Sequence, residues 1–249
     1  MIIILHLLIV LKNIKFYNFT IGDDMKSKIM SVLQLILSIA VIVLLNMFYF
    51  RILGIFHLKF SGDEYLIANT IKYLLMSMII FIIYHKEIKS GKNKFNRQLL
   101  NSVIYSVACF VFLVVITIVI REALKYFGHD PMYHFTNYFN QSFTLNFVLS
   151  FIINCIFIPF LLCIVFPLGF SNIFRKHLTA SFTSGICYGI YYGIMLKTSF
   201  DVAIYAALTP AVIVGLLTYL YKTNKNIWSV IITYISYVLL GVFVVQYFM

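Results

Sequence analysis

The chain has 249 residues, of which 62% are hydrophobic, 18% aromatic and 11% charged. Soluble domains carry about 25% charged residues, and a chain of this size has too little interior to hide so much apolar surface from water. A soluble globular protein is excluded, and the formal net charge of +11 points to headgroups rather than to nucleic acid, because the basic residues sit mostly in short breaks between apolar runs.

The first 24 residues stand apart. Ile2 to Leu11 is apolar but covers only half of the roughly 20 residues that a spanning helix needs. Lys12, Asn13, Lys15, Asn18, Gly22, Asp23 and Asp24 then break the pattern. A signal peptide would place its charge first and small residues after the apolar run, the reverse of what is seen. Met25-Lys26-Ser27-Lys28, followed by a long apolar run, reads as the start of a membrane protein. Residues 1–24 are therefore expected to precede the true initiator at Met25, outside the mature chain, or to form a dispensable interfacial segment.

Seven candidate spans follow, over 31–53, 65–84, 100–120, 143–168, 178–196, 201–221 and 227–248. Each is apolar all round, as expected of a lipid-embedded helix. Backbone groups in lipid must be satisfied within the segment, which favours helices over open strands. The fold class expected is all-α, a polytopic transmembrane bundle. Residues 25–142 form its accessory helices and outer loop, and residues 143–249 form its core.

Lys and Arg in the connections set the orientation. With Lys26 and Lys28 inside, the inner connections carry Lys86, Lys89, Lys92, Lys94, Arg97, Arg175, Lys176, Lys222 and Lys225. The outer side holds only Arg51, Lys59, Arg121, Lys125 and Lys197. The loop 85–98 is the strongest inner anchor. Trp228 reads as an interfacial belt residue, and Lys72, inside the second span, is expected to snorkel to the outer interface.

Pro159 and Pro167 are expected to kink or break the fourth span near its end, and Pro210 does the same in the sixth. Cys109, Cys155, Cys163 and Cys187 all lie in apolar segments without a Cys-x-x-Cys pair, and read as small buried hydrophobes rather than disulfide or zinc ligands. His129-Asp130-Pro131-Met132-Tyr133-His134, near Glu122, reads as a polar outer loop turning at Asp-Pro. His129 and His134 are its weak candidates for a divalent ion. From Phe143 onwards the only carboxylate is Asp201 and the only histidine is His177, too scattered for a closed ligand set.

The segment 215–232 is the most characteristic. A glycine-bearing span (Gly215) and an aromatic pair (Tyr219, Tyr221) lead into a short basic turn, and Asn226-Ile227-Trp228 opens the next span. Upstream lie Phe170-Ser171-Asn172-Ile173-Phe174-Arg175-Lys176 and the run from Ser184 through Tyr188 to Tyr192. In order, spacing and flanking residues, positions 143–249 resemble the CPBP family of CAAX-protease and bacteriocin-processing membrane proteins. That family carries Glu-Glu-x-x-x-Arg, Phe-x-x-x-His and His-x-x-x-Asn/Asp in these places. The resemblance implies an intramembrane zinc protease fold.

The defining letters are replaced. The two glutamates fall on Phe170 and Ser171, with Arg175 retained. The second motif runs from Tyr188 to Tyr192, with Tyr192 in place of its histidine. The third falls near Tyr234 and Val238. A catalytic metal needs about three His or carboxylate ligands and a base, whereas tyrosine is neutral near pH 7 and Phe and Val cannot ligate. No catalytic, cofactor or metal residue is therefore expected here. The reading is a non-catalytic CPBP-like protein of the bacterial cytoplasmic membrane. It would act by binding a membrane or cell-envelope partner, as in bacteriocin immunity or envelope-protein processing. The alternatives are an active CAAX-type intramembrane metalloprotease with other ligands, which would need zinc, and a small transporter subunit.

Overall fold

Long apolar runs without two-residue alternation leave the backbone one way to satisfy its own hydrogen bonds in hydrocarbon, the α-helix. The computed structural model describes residues 23–55, 63–128, 145–196 and 200–248, and all regular structure among them is helical. The elements are α1 (Asp23–Ile55), α2 (Asp63–Ile83), α3 (His85–Arg97), α4 (Leu99–Tyr126), α5 (Leu145–Ile152), α6 (Ile158–Cys163), α7 (Gly169–Ile173), α8 (His177–Leu196), α9 (Phe200–Asn224) and α10 (Ile227–Phe248).

Five helical stretches are long and apolar enough to cross a membrane: Ser27–Ile55, Glu64–Ile83, Leu99–Tyr126, Phe147–Ile173 and Val202–Asn224. Their outer faces are oily, as at Leu100, Val107 and Val119 of α4. The α8 helix matches the expected segment 178–196 but has a lower apolar content, because glycine, serine, threonine and tyrosine recur along it. Those residues serve packing, as shown below.

The centre of the bundle is the continuous helical run α5–α6–α7. Every residue from Leu161 to Ser171 is buried. Of the kink or break expected at the prolines, the break does not occur. Each proline removes one backbone donor, and the chain answers with wider π turns at Ile153–Phe157 and Ile164–Leu168. Pro159 follows the first and Pro167 lies in the second, and the helix continues to Ile173. Local π adjustment lets a buried helix carry proline without being cut. Pro210 likewise lies inside an unbroken α9.

Around this core, α1 presses Leu35 against Gly169, where an added Cβ would come within 2.8 Å of the leucine. The tightest pairing is α8 with α9. Gly185, Gly189 and Gly193 of α8 recur every four residues, and so do Ala203, Ala207, Ala211 and Gly215 of α9. The two rows face each other: a Cβ on Gly185 would meet the Ala211 carbonyl, one on Gly189 the Ala211 side chain, and one on Gly193 the region of Ala203. Ser181 closes the row by donating to the Gly215 carbonyl at 2.6 Å, and Ser184 shares a hydrogen bond with Thr218. In lipid, where no hydrophobic drive joins helices, such small-residue contact and interhelical hydrogen bonding supply the association.

A second seam joins α4 to α10. Ser102 and Ser106 face Ser229 and Thr233, all buried. Ser106 Oγ donates to the Ser229 carbonyl at 3.3 Å, Thr233 Oγ1 to the Ser106 carbonyl at 3.2 Å, and Asn226 Nδ2 to Ser102 Oγ at 3.0 Å.

Three expectations about charge are corrected. The segment 85–98 is not a loop but the helix α3, whose Ile88 and Gly91 are buried against the start of α10. Lys72 does not snorkel. It is 6% exposed, with its ammonium over the rings of Tyr73 at 4.7 Å and Phe50 at 5.6 Å. The rings' negative faces give the buried cation its contact. Lys222 is not a loop cation either. It is buried, and Nζ donates to the carbonyls of Ser171 at 2.7 Å and Phe174 at 2.6 Å. It thus satisfies acceptors that the end of α7 leaves open.

Candidate functional site

Four side chains singled out by sequence, Phe170, Tyr188, Tyr192 and Tyr234, belong to one aromatic assembly on the buried central run. Phe166, Phe170 and Phe174 stack along one face of it, with centroids 6.1 and 6.3 Å apart, because a four-residue spacing puts them one turn apart. Tyr188 of α8 meets Phe166 edge-on at 5.0 Å and stands 6.1 Å from both Tyr191 and Tyr192. Tyr234 of α10 stacks with Tyr237 at 6.1 Å. It packs on the buried core that contains Tyr188 and Cys163.

Cys163 belongs to the same buried core. It is fully buried, and its Sγ lies 3.9 Å from the Val230 carbonyl. Tyr192 and Tyr234 are half-buried and pack on this core. Two further tyrosine hydroxyls are held by neighbouring helices. Asn46 of α1 donates to the Tyr191 hydroxyl at 3.4 Å, and Thr117 of α4 pairs with the Tyr237 hydroxyl at 3.0 Å. Val238 is buried one turn after Tyr234.

Ser171 and Arg175 are placed differently. Ser171 is buried at the end of α7, with its carbonyl taken by Lys222 and no hydrogen-bond partner for its hydroxyl. Arg175 is exposed in the short non-helical junction before α8. His177, the first residue of α8, is exposed and its ring meets Tyr219 edge-on at 5.9 Å. Glu122 pairs on the surface with Lys125 at 3.6 Å and Arg121 at 3.9 Å. His129 and His134, the segment 1–22 and the side chain of Asp201 lie outside the described residues. Cys155 is buried, and Cys109 and Cys187 are half-buried; all four cysteines are free.

Trp228 is more than a belt residue. Its backbone N–H is capped by Asn226 Oδ1 at 3.1 Å, and its indole N–H donates to the Ile88 carbonyl at 3.2 Å. Sequence reading did not join Phe166, Cys163, Tyr191 and Tyr237 into this cluster. The signal was present in the helical spacing, since Tyr191 and Tyr237 each lie three residues from a residue already singled out.

Chemically, the cluster offers phenol hydroxyls and aromatic faces, with one thiol buried in the same core. Among the described residues, no three His, Cys, Asp or Glu side chains gather in the way a metal would require. Phenols at neutral pH donate and accept hydrogen bonds without carrying charge. Such groups suit a neutral partner with exposed hydrogen-bonding groups and apolar flanks.

Fold and site together define an all-helical protein with, among the described residues, five helical stretches long and apolar enough to cross a membrane and a buried aromatic cluster rich in tyrosine. Comparison with protein-family models, with curated proteins and with solved structures gave no match for this chain.

Proposed function

We propose that this chain is a non-catalytic, CPBP-like integral membrane protein of the bacterial cytoplasmic membrane. It binds a membrane or cell-envelope partner at the tyrosine cluster, in a role such as bacteriocin immunity or envelope-protein processing. In this reading the segment 143–249 is the CPBP-like core of a bundle of seven spans. The observation that carries the proposal is the cluster of Tyr188 with Phe166, Tyr191 and Tyr192, packed together with Tyr234 on the one buried core that holds Cys163. Those tyrosines stand at or beside the positions where the resemblance implies a metal site. The residues there do not fit zinc, which takes imidazole, carboxylate or thiolate in sets of three or four. They do fit the backbone of a transmembrane or amphipathic peptide, whose polar groups need partners in lipid.

The test is photo-crosslinking in native membranes, with a crosslinker placed in turn at Tyr192, at Tyr234 and at the outward-facing Ile190. A discrete partner captured from the first two positions and not from Ile190 supports the reading. Equal labelling at all three removes it. Stoichiometric zinc in the purified protein, lost on replacing His129, His134 or His177, would establish the protease alternative.

A further inference from the structure

The α3 helix is the most polar element among the described residues and joins two candidate spans, α2 and α4. It has 13 residues, about 20 Å at 1.5 Å per residue. The span before it ends at Ile83 and the span after it begins at Leu99. One residue at each end, Tyr84 and Gln98, is all that separates α3 from a membrane-crossing helix. Its two ends are thereby tied to the ends of two membrane-crossing candidates.

Its orientation is fixed by three contacts. Ile88 and Gly91 face the bundle, with Gly91 so close to Ile227 that an added Cβ would come within 2.7 Å of it. Trp228 donates to the Ile88 carbonyl, and Lys94 donates to the Asn224 carbonyl in the turn between α9 and α10. The opposite face therefore looks outward, and it is basic. Lys86, Lys89, Lys92 and Arg97 are all exposed, and Lys225 is exposed one residue beyond Asn224. Glu87, the only acid on α3, is half-buried. The other end of the bundle has mixed charge among the described residues, with Glu64 and Glu122 beside Arg51, Arg121 and Lys125.

We infer that the outward face of α3 is a binding platform for anionic phospholipid headgroups of the leaflet in which α2 ends and α4 begins. Clustered Lys and Arg on an interfacial helix attract such lipids by about fivefold in affinity for each side chain near the surface. The latch through Lys94 and Trp228 makes the platform rigid, so that lipid meets a preset array of cations. The inference is independent of what binds at the tyrosine cluster.

Trp228 is the only tryptophan of the chain and reports from beside α3. The full chain is reconstituted in vesicles of brominated phosphatidylcholine, which quenches the indole. Unbrominated phosphatidylglycerol or unbrominated phosphatidylcholine is then added in equal amounts. Phosphatidylglycerol is expected to displace the quencher at least about fivefold more effectively. The preference should collapse in about 0.5 M NaCl, where the screening length falls to roughly 4 Å. The triple variant Lys86→Gln, Lys89→Gln, Lys92→Gln should lose it, and the triple arginine variant should keep it.

Counting the phosphatidylglycerol retained after extraction from mixed vesicles repeats the comparison without the fluorophore. Equal displacement by the two lipids overturns the inference. So does a preference that survives high salt or the glutamine substitutions. If the glutamine variant fails to fold, the salt dependence and the arginine variant still decide.

Discussion

A Cβ placed on Gly185 would stand 2.6 Å from the backbone carbonyl oxygen of Ala211. No rotamer change can relieve that contact, because both atoms belong to helix backbones. The distance fixes how closely α8 and α9 run. The four-residue repeat on each helix extends the approach from Ser181–Gly215 at one end to Gly193–Ala203 at the other. Gly185→Ala is therefore expected to destabilise the protein by about 1–3 kcal/mol, the cost of overpacking a fitted interface. Gly193→Ala is the control, since its nearest neighbour, the Ala203 carbonyl, would be at an ordinary 3.6 Å. It should be neutral or gain up to about 1 kcal/mol of helix propensity. Unfolding midpoints of both variants in the same detergent test the contrast, and equal behaviour would contradict it.

The second prediction concerns Lys222. Its ammonium holds the carbonyls of Ser171 and Phe174 at the end of the central run. Lys222→Met keeps the length and apolar stem but leaves two acceptors without that donor. The expected loss is about 1–3 kcal/mol, with the damage local. Hydrogen exchange at the Phe174 amide, which now donates to the Phe170 carbonyl, should accelerate before any change in α4. Unchanged exchange at Phe174 would show that the lysine is not what closes this helix end.

The third prediction concerns Asn226, which is fully buried and bonded at both ends of its amide. Oδ1 caps the first turn of α10 at Trp228 N, and Nδ2 reaches Ser102 across the seam. Asn226→Ala removes both bonds and should cost about 1 kcal/mol or more. Because Trp228 is bonded to α3 through Ile88, its fluorescence should shift to the red as the latch loosens. Asn226→Ser restores a capping oxygen and is expected to recover part of the stability. An Ala variant with wild-type emission and unfolding midpoint would contradict the proposed role.

Much of the fold could be read from local pattern. The apolar runs locate the helices to within a few residues, and the basic connections gather at the α3 end of the bundle, as the Lys and Arg count suggested. The segment 85–98 was misread because its lysines hide a weaker signal. Ile88, Gly91 and Phe95 recur at helical spacing and form the inward stripe of α3. The prolines misled for a different reason. A missing donor is a local fact, but whether a π turn absorbs it depends on the packing around the central run.

Sequence alone determined the class, all-helical with oily outer faces, because helix hydrogen bonds close within four residues and a lipid-facing surface needs only apolar side chains. Tertiary structure decided where the polar residues go. Lys72 found two rings, Lys222 found two carbonyls, and Tyr188, Tyr192 and Tyr234 pack on the one core that holds Cys163. The physical reason is the same for each. A buried polar group takes whatever donor, acceptor or π face the neighbouring helix presents, and that neighbour is distant in sequence and set by the close approach of glycine and alanine backbones.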